Sequence, residues 1–271
     1  MSTNKFINSA KKTIGIQADS IASLSNQIDK SFAEIAKKVS LIKGKLIVMG
    51  VGKSGHVGQK VSATLASTGT PSFFIHPTEA AHGDLGMIAK DDAVLIFSNS
   101  GETKEVTAIL PALKRMTSDI FSITGNANSS IAKASSVHLK VQVEKEACPH
   151  DLAPTSSTTA SMVIGDALAI SLIEEKNFSS EDFAKSHPAG ELGKKLTTYV
   201  GDLAISGNKV SCVEIDASIK DTIIEITSKK LGMALVVKDE EVVGIFTDGD
   251  LRRALNQEID IENNSVSSVM T

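Results

Sequence analysis

The sequence predicts an α/β protein: a parallel sheet flanked by helices, followed by a small C-terminal α+β unit that reads as incomplete. Three observations predict it. Short continuous apolar runs recur through the first part of the chain, as strands buried on both faces read. Helix-forming stretches separate most of them, and parallel neighbours require crossovers of that kind. From about residue 197 the texture changes to two short apolar runs about a charged turn, with a helix after them.

Residues 4 to about 40 carry Phe6, Ile14, Ile21, Leu24, Ile28, Phe32, Ile35 and Val39, mostly at the spacing of an amphipathic helix. One long helix is expected there, or two with a break near Gly15. Strands are expected at 45–49, 72–75, 93–97, 119–123 and 137–143. Helices are expected at 54–67, 103–116 and 129–134, with a further one, rich in Ala and Ile, over 157–175. The stretch 176–196 is polar and punctuated, so the first domain is taken as 1–196 and the second as 197–271. In the second, 218–230 reads as a helix, 233–237 and 242–246 as a hairpin around Lys238-Asp239-Glu240-Glu241, and 248–255 as another helix. Such a unit is too small to bury much by itself.

The chain has 271 residues, 41% of them hydrophobic and 22% charged, and no apolar run approaches the roughly 18 residues of a membrane span. No apolar stretch follows the first lysines, so no secretory signal is read, and a soluble, cytoplasmic protein is expected. Cys148 and Cys212 lack C-x-x-C spacing and read as ordinary thiols. A net charge of -4, no Trp and a single tyrosine, Tyr199, supply neither the basic field nor the stacking platform of a nucleic-acid binder.

After the first strand comes Gly50-Val51-Gly52-Lys53-Ser54-Gly55, formally G-x-G-x-x-G. A dinucleotide fingerprint needs an acid about 20 residues later. That place holds His76-Pro77, with Glu79 a little further on, which weakens a nicotinamide reading. Nor is it a P-loop, since Ile47 stands where the first glycine is required. The theme recurs: strand 93–97 runs into Ser98-Asn99-Ser100-Gly101-Glu102-Thr103. Each loop feeds a helix start, where amide donors, the helix dipole and hydroxyls suit one phosphate monoester. Ser100 or Thr103 taken alone reads equally well as a helix cap. Gly52, Ser54, Gly55, Ser98, Asn99, Ser100, Gly101 and Thr103 are the candidate phosphate and substrate contacts.

These loops, with Ala81-His82-Gly83-Asp84-Leu85-Gly86, resemble the sugar isomerase (SIS) domain, a phosphosugar-binding family. Glu146-Ala147-Cys148-Pro149, Leu152-Ala153-Pro154-Thr155 and the segment His187-Pro188-Ala189-Gly190-Glu191-Leu192-Gly193 make the sequence similar to the arabinose-5-phosphate isomerases within it. Ala189 stands where His-Pro-Gly-Gly is more common. The resemblance covers residues 5 to about 196. It implies a cofactor-free exchange of ribulose 5-phosphate and arabinose 5-phosphate through a cis-enediol, at the start of Kdo and lipopolysaccharide synthesis. It also implies a homo-oligomer, typically a tetramer, in which a histidine reaches a neighbour's site.

An enediol route needs a base beside C1 and C2 and a polar group on the oxygens. The resemblance places Lys53, His82, Glu105, Glu146 and His187 in the active site, with Glu105 and His187 for acid and base work. On physical grounds alone Lys53 is the best supported, as a cation in a glycine turn beside anion-binding amides. Glu105 alone would read as a helix carboxylate favoured by the dipole, His82 as a turn residue and His187 as surface. The spacings fit no standard zinc pattern, so no metal is expected, and a divalent ion at His82 and His187 would be adventitious. His56, His76, His138 and His150 read as turn or sheet residues.

Gly244 to Arg253 (GIFTDGDLRR) resembles the end of a cystathionine β-synthase (CBS) repeat, in which Thr247 and Asp250 would face a nucleotide ribose. A capping box explains the same pair without a ligand, and is the preferred reading. Residues 266–271 (VSSVMT) read as the opening of a second repeat. Two rival functions stand beside the isomerase: a non-catalytic phosphosugar sensor, which need not keep the acid/base set, and, more weakly, a nicotinamide enzyme.

Overall fold

The structure is a computed structural model that describes residues 3–187 and 190–271, apart from the side chains of Glu191, Leu192 and Thr197. It divides into two compact units, one ending at Thr197 and one running from Thr198 to Thr271.

The first unit begins with two helices, α1 (Thr3–Leu24) and α2 (Lys30–Leu41). Gly15 does not break α1: a glycine inside a long helix costs only about 1 kcal/mol. The break falls after Leu24, and Asp29 restarts the helix by accepting the Ser31 N–H at 2.8 Å. Then follow β1 (Leu46–Met49), α3 (Gly52–Ser67), β2 (Ser72–Phe74), α4 (Pro77–Ala81), β3 (Ala93–Phe97), α5 (Lys104–Met116), β4 (Ile120–Thr124), α6 (Ser130–Ala134), β5 (Val137–Lys140) and α7 (Ser156–Lys176). Two short helices, α8 (Ser180–Ser186) and α9 (Glu191–Thr197), close the unit.

The five strands form one parallel sheet in the order β2-β1-β3-β4-β5. Strands β1, β3 and β4 are buried along their whole length, which is why β1 and β3 read as unbroken apolar runs and β4 as one broken by Ser122. On one face Leu46, Val48, Leu95, Phe97 and Phe121 meet Val57, Val61 and Leu65 of α3 together with α2 and α7. On the other, Ile47, Met49, Val94 and Ile96 meet Ile109 and Leu113 of α5 and Ile131 of α6. Alone among the described helices, α7 is long and apolar enough to cross a membrane. Here it packs on α1, α2 and α3 and buries Ala160, Ile164, Leu168 and Leu172, and a helix with neighbours on several sides needs no polar face.

The second unit comprises α10 (Val200–Leu203), β6 (Cys212–Glu214), α11 (Ile219–Lys229), β7 (Met233–Lys238), β8 (Glu241–Thr247) and α12 (Asp248–Asn256). Strand β6 pairs parallel with β7, and β7 antiparallel with β8. Asp239 and Glu240 turn the hairpin with φ of 52° and 66°, the conformation of a two-residue turn that follows strand twist. The closing segment, read as the opening of a second repeat, packs into this one. Val266 is fully buried in its core, and Thr271 exchanges backbone hydrogen bonds with Ile245 of β8 at 2.8 and 2.9 Å.

Candidate active site

In the strand order 2-1-3-4-5 the chain switches direction between β1 and β3. Helix α3 leaves β1 for one face and α5 leaves β3 for the other, so a crevice opens between the two loops at the carboxyl ends of the strands. Met49 pairs with Ile96, and the loops therefore start side by side.

The first loop is drawn tight by a backbone contact: a Cβ on Gly55 would lie 2.8 Å from the Gly50 carbonyl oxygen. Val51 caps α3 without a side-chain bond, and the Lys53 and Ser54 N–H groups have no acceptor among the described residues. Lys53 is exposed, without a hydrogen bond or ion pair among those residues. A cation in the first turn of a helix opposes the dipole. A bound anion would reverse that penalty.

The second loop is built on Ser98, which is buried. Its hydroxyl accepts the Gly101 N–H at 3.0 Å and pairs with the Thr103 hydroxyl at 2.8 Å. Gly101 has φ of 70°, and its carbonyl accepts the Ile131 N–H at 3.1 Å. Glu102 accepts the Ser130 N–H at 2.8 Å, and the Ser130 donors hold its carboxyl below the usual range. The loop is thus anchored to the start of α6, and what it leaves outward is small. Ser100 and the Asn99 side chain are exposed, and the Lys104 and Glu105 N–H groups have no acceptor among the described residues. Glu105 itself is exposed in the first turn of α5, beside the crevice, with no partner there.

Gly101→Ala is expected to destabilise by about 2–5 kcal/mol, from the left-handed backbone and the crowding together. The new Cβ would lie 2.1 Å from the Ser129 hydroxyl, which cannot swing away without releasing the Ala132 N–H that it caps. Urea unfolding checks this, and a variant as stable as the parent would show that the loop relaxes freely.

His82 caps the C-terminus of α4, beyond the carboxyl end of β2, with its ring exposed. Glu146 lies on the long loop after β5. Its Oε2 accepts the Thr155 N–H at 2.7 Å, the Thr155 hydroxyl at 3.0 Å and the Ser157 N–H at 3.3 Å, which closes the N-terminus of α7. Burial pushes this carboxyl up, and the donors of Ser157 and Thr155 outweigh burial, leaving it below its ordinary range. Glu146 also lines a cavity of about 540 Å³ between α1 and its own loop.

The strand order puts two helix N-termini suited to an anion at the switch point, and comparisons with known proteins identify the family. Residues 42–171 match the SIS domain, and residues 200–257 match the CBS domain. Arabinose 5-phosphate isomerase KdsD of Escherichia coli K12 is 49% identical over 267 residues, spanning 98% of this chain and 81% of that protein. The Pseudomonas aeruginosa protein of the same name is 50% identical, spanning 98% and 82%. The chain belongs to the arabinose 5-phosphate isomerase family. A solved Escherichia coli CFT073 protein in complex with arabinose 5-phosphate is 42% identical with a TM-score of 0.68, covering 69% of this chain and all of that one. A putative phosphosugar isomerase involved in capsule formation from Bacteroides fragilis is 32% identical with a TM-score of 0.64, covering 68% and 98%.

In this member of the arabinose 5-phosphate isomerase family, the fold brings Lys53, Ser54, Ser100, Thr103 and Glu105 to one crevice. Ser98 and Gly101 shape it from beneath. His187 caps the C-terminus of α8. Its Nδ1–H donates to the Phe183 carbonyl at 3.0 Å and its ring stacks on Phe183 at 4.0 Å, so Nε2 is the nitrogen left to act. Neither contact involves a crevice residue. Pro188 and Ala189 of its motif lie outside the described residues. Among the described residues no three His, Cys, Asp or Glu side chains gather to hold a metal ion. Of the other histidines, His76 caps α4 through the Thr78 N–H, and His138 bonds Thr124 at 2.9 Å, with burial holding it below its usual range.

In the second unit, Thr247 and Asp250 form the capping box of α12. The Thr247 N–H and hydroxyl donate to Asp250 at 2.8 and 2.6 Å, and the Asp250 N–H returns a bond at 3.4 Å. Arg253 and the Thr271 hydroxyl engage the other carboxylate oxygen. Burial pushes Asp250 up, and these donors outweigh it. Neither residue lines the unit's small apolar cavity of about 250 Å³, whose walls include Val210, Leu231 and Met233. The cap accounts for both.

Proposed function

We propose that the protein interconverts D-ribulose 5-phosphate and D-arabinose 5-phosphate by proton transfer through a cis-enediol. The crevice carries this reading: two helix N-termini with free amides face it from opposite sides of the sheet, with Lys53 on one and Glu105 on the other. The names of the relatives, and the arabinose 5-phosphate bound by the solved Escherichia coli protein, support the same substrate.

Amides of the two loops with the Ser54, Ser100 and Thr103 hydroxyls bind the phosphate dianion. Glu105 takes a proton from C1 of the ketose, the electron pair closes the C1–C2 double bond, and O2 is protonated to give the enediol. Return of the proton to C2, with loss of the O1 proton, gives the aldose. Lys53 and His82 orient and polarise the oxygens, and Lys53 offsets the negative charge that develops on them. His187 relays the proton between O1 and O2.

The resemblance to the arabinose 5-phosphate isomerases supports a homo-oligomer, a tetramer in this reading, in which His187 completes the site of another copy. No cofactor is needed for such proton transfers. The reaction stands at the entry to Kdo and lipopolysaccharide synthesis, in the cytoplasm.

Proton NMR of ribulose 5-phosphate with catalytic enzyme in D2O tests the proposal. The expected result is growth of the arabinose 5-phosphate anomeric signal with solvent deuterium entering C2. A folded protein that binds sugar phosphates without turning any of them over would favour the sensor instead.

A further inference from the structure

The loop that follows β3 is held from outside as well as from within. Three of its residues are tied to the segment after β4: the Asn99 carbonyl accepts the Gly125 N–H at 2.9 Å, the Gly101 carbonyl accepts the Ile131 N–H at 3.1 Å, and Glu102 accepts the Ser130 N–H at 2.8 Å. Gly101 also lies against that segment, and a Cβ there would press on Ser129 and come 3.4 Å from the Thr124 hydroxyl. Whatever fixes residues 124–131 therefore fixes one wall of the crevice.

Thr124, buried at the end of β4, starts that segment. Its hydroxyl has three neighbours: the Asn126 N–H at 3.2 Å, the Asn126 carbonyl at 3.0 Å and Nε2 of His138 at 2.9 Å. A hydroxyl has one proton to give. The arrangement that pairs every group sends it to the Asn126 carbonyl, while the Asn126 N–H and a His138 Nε2–H donate to the Thr124 oxygen. Asn126 passes the constraint on, since its carbonyl also accepts the Ser129 N–H at 3.2 Å and its side chain accepts the Asn128 N–H at 2.9 Å. Ser129 is the residue that meets Gly101.

His138 stands at the far end of this chain of contacts, half-buried on β5 and in register with Ser122 of β4. Burial holds its ring below the usual range, so at neutral pH it carries one proton, and the bond to Thr124 places that proton on Nε2. Strand β4 separates β5 from β3, and two strand spacings of about 4.8 Å keep the ring off the crevice. Any effect on the reaction must travel through Thr124. Resting on the isomerase reading above, we infer that His138 is a positioning residue: through Thr124, Asn126 and Ser129 it holds the β3 loop in the shape that binds the phosphate group of the substrate.

His138→Val, His138→Gln and Thr124→Val test this by kinetics, thermal unfolding and inhibition by inorganic phosphate. Gln brings an amide N–H to Thr124 in place of Nε2–H, and Val brings none. His138→Val should raise KM for ribulose 5-phosphate about tenfold and weaken inhibition by inorganic phosphate by the same factor. Its kcat should stay within about threefold of the parent, because the phosphate is held alike in ground and transition states. His138→Gln should stay within about threefold of the parent in all three. Thr124→Val should match His138→Val, and the double variant should be no worse than either, since both cut one chain of contacts. A lower melting temperature with KM and phosphate inhibition unchanged is a role in the fold alone and overturns the inference. So does a Gln variant as impaired as the Val variant, or a loss confined to kcat. If His138→Val does not fold, Thr124→Val set against His138→Gln makes the same comparison. The parent protein separates the two proposals: if inorganic phosphate raises its melting temperature but no pentose phosphate is turned over, the isomerase reading fails, and the variants' thermal shifts with phosphate still decide on His138. A parent that inorganic phosphate neither inhibits nor stabilises defeats the His138 inference, whatever its turnover.

Discussion

Glu105→Gln is expected to lower kcat by about 10²–10⁴-fold, the range that a positioned general base contributes, while KM changes little. The argument rests on what surrounds this carboxylate. Glu105 stands in the first turn of α5, at the mouth of the crevice, with no hydrogen bond or ion pair among the described residues. A carboxylate held for structure looks different, and the same loop supplies the contrast in Glu102, which caps α6 through the Ser130 N–H. Glu102→Gln should therefore lower the melting temperature more than it lowers kcat. Glu105→Gln should show the reverse, since the helix dipole gains only about 0.3–1 kcal/mol from an acid at this place. Deuterium entry at C2 should fall with turnover, because the lost step is removal of the carbon-bound proton. A Glu105→Gln enzyme that still exchanged that proton at the parent rate would assign the base elsewhere, with His187 the next candidate.

The sheet was legible because of where it lies. Strands β1, β3 and β4 have both faces covered, so β1 and β3 are wholly apolar and the Ser122 and Thr124 hydroxyls of β4 are hydrogen-bonded inside the fold, and these runs gave the strand positions to within a residue. Edges were harder to read. Strand β5 alternates between buried and open positions and ends at Lys140, short of the expected 143, since only one neighbour pairs with it. Strand β6, three residues with no fully buried position, left no signal that separates it from a loop. The break between α1 and α2 was sought at Gly15, but an exposed glycine inside a helix is tolerated, and the capping carboxylate of Asp29 set the real start. The phosphate loops were readable because glycine and hydroxyl residues there answer local needs. Which hydroxyl faces out was not: Ser98 and Ser100 are alike in sequence, yet one is buried under the loop and the other is open. The tie from Glu146 to the start of α7 spans a loop without regular spacing, so only the folded chain displays it. The run of serines and threonines at 155–159 was the one hint of that helix end.

Lys53→Met should lower kcat/KM by about 10²–10³-fold, the size expected when one charge-stabilising group is removed from a transition state, and should leave the fold as stable as before or slightly more so. The sign of the stability change is the discriminating part. Lys53 lies in the first turn of α3, where the dipole disfavours a cation, and it has no carboxylate partner among the described residues. If it served the fold, its loss would destabilise. If it serves an anion that comes and goes, its loss relieves the free protein and is felt only when phosphosugar or enediolate is bound. Salt separates these further, because screening weakens an exposed charge on its ligand. The parent's KM should therefore rise with ionic strength more steeply than that of Lys53→Met. Lys53→Arg keeps the charge but replaces a compact ammonium with a broad planar fork in a turn where Gly50 and Gly55 already touch. It should recover binding of inorganic phosphate better than it recovers kcat. A Lys53→Met enzyme within about threefold of the parent in kcat/KM would move the developing charge away from this turn and leave the amides of α3 and α5 to carry it alone.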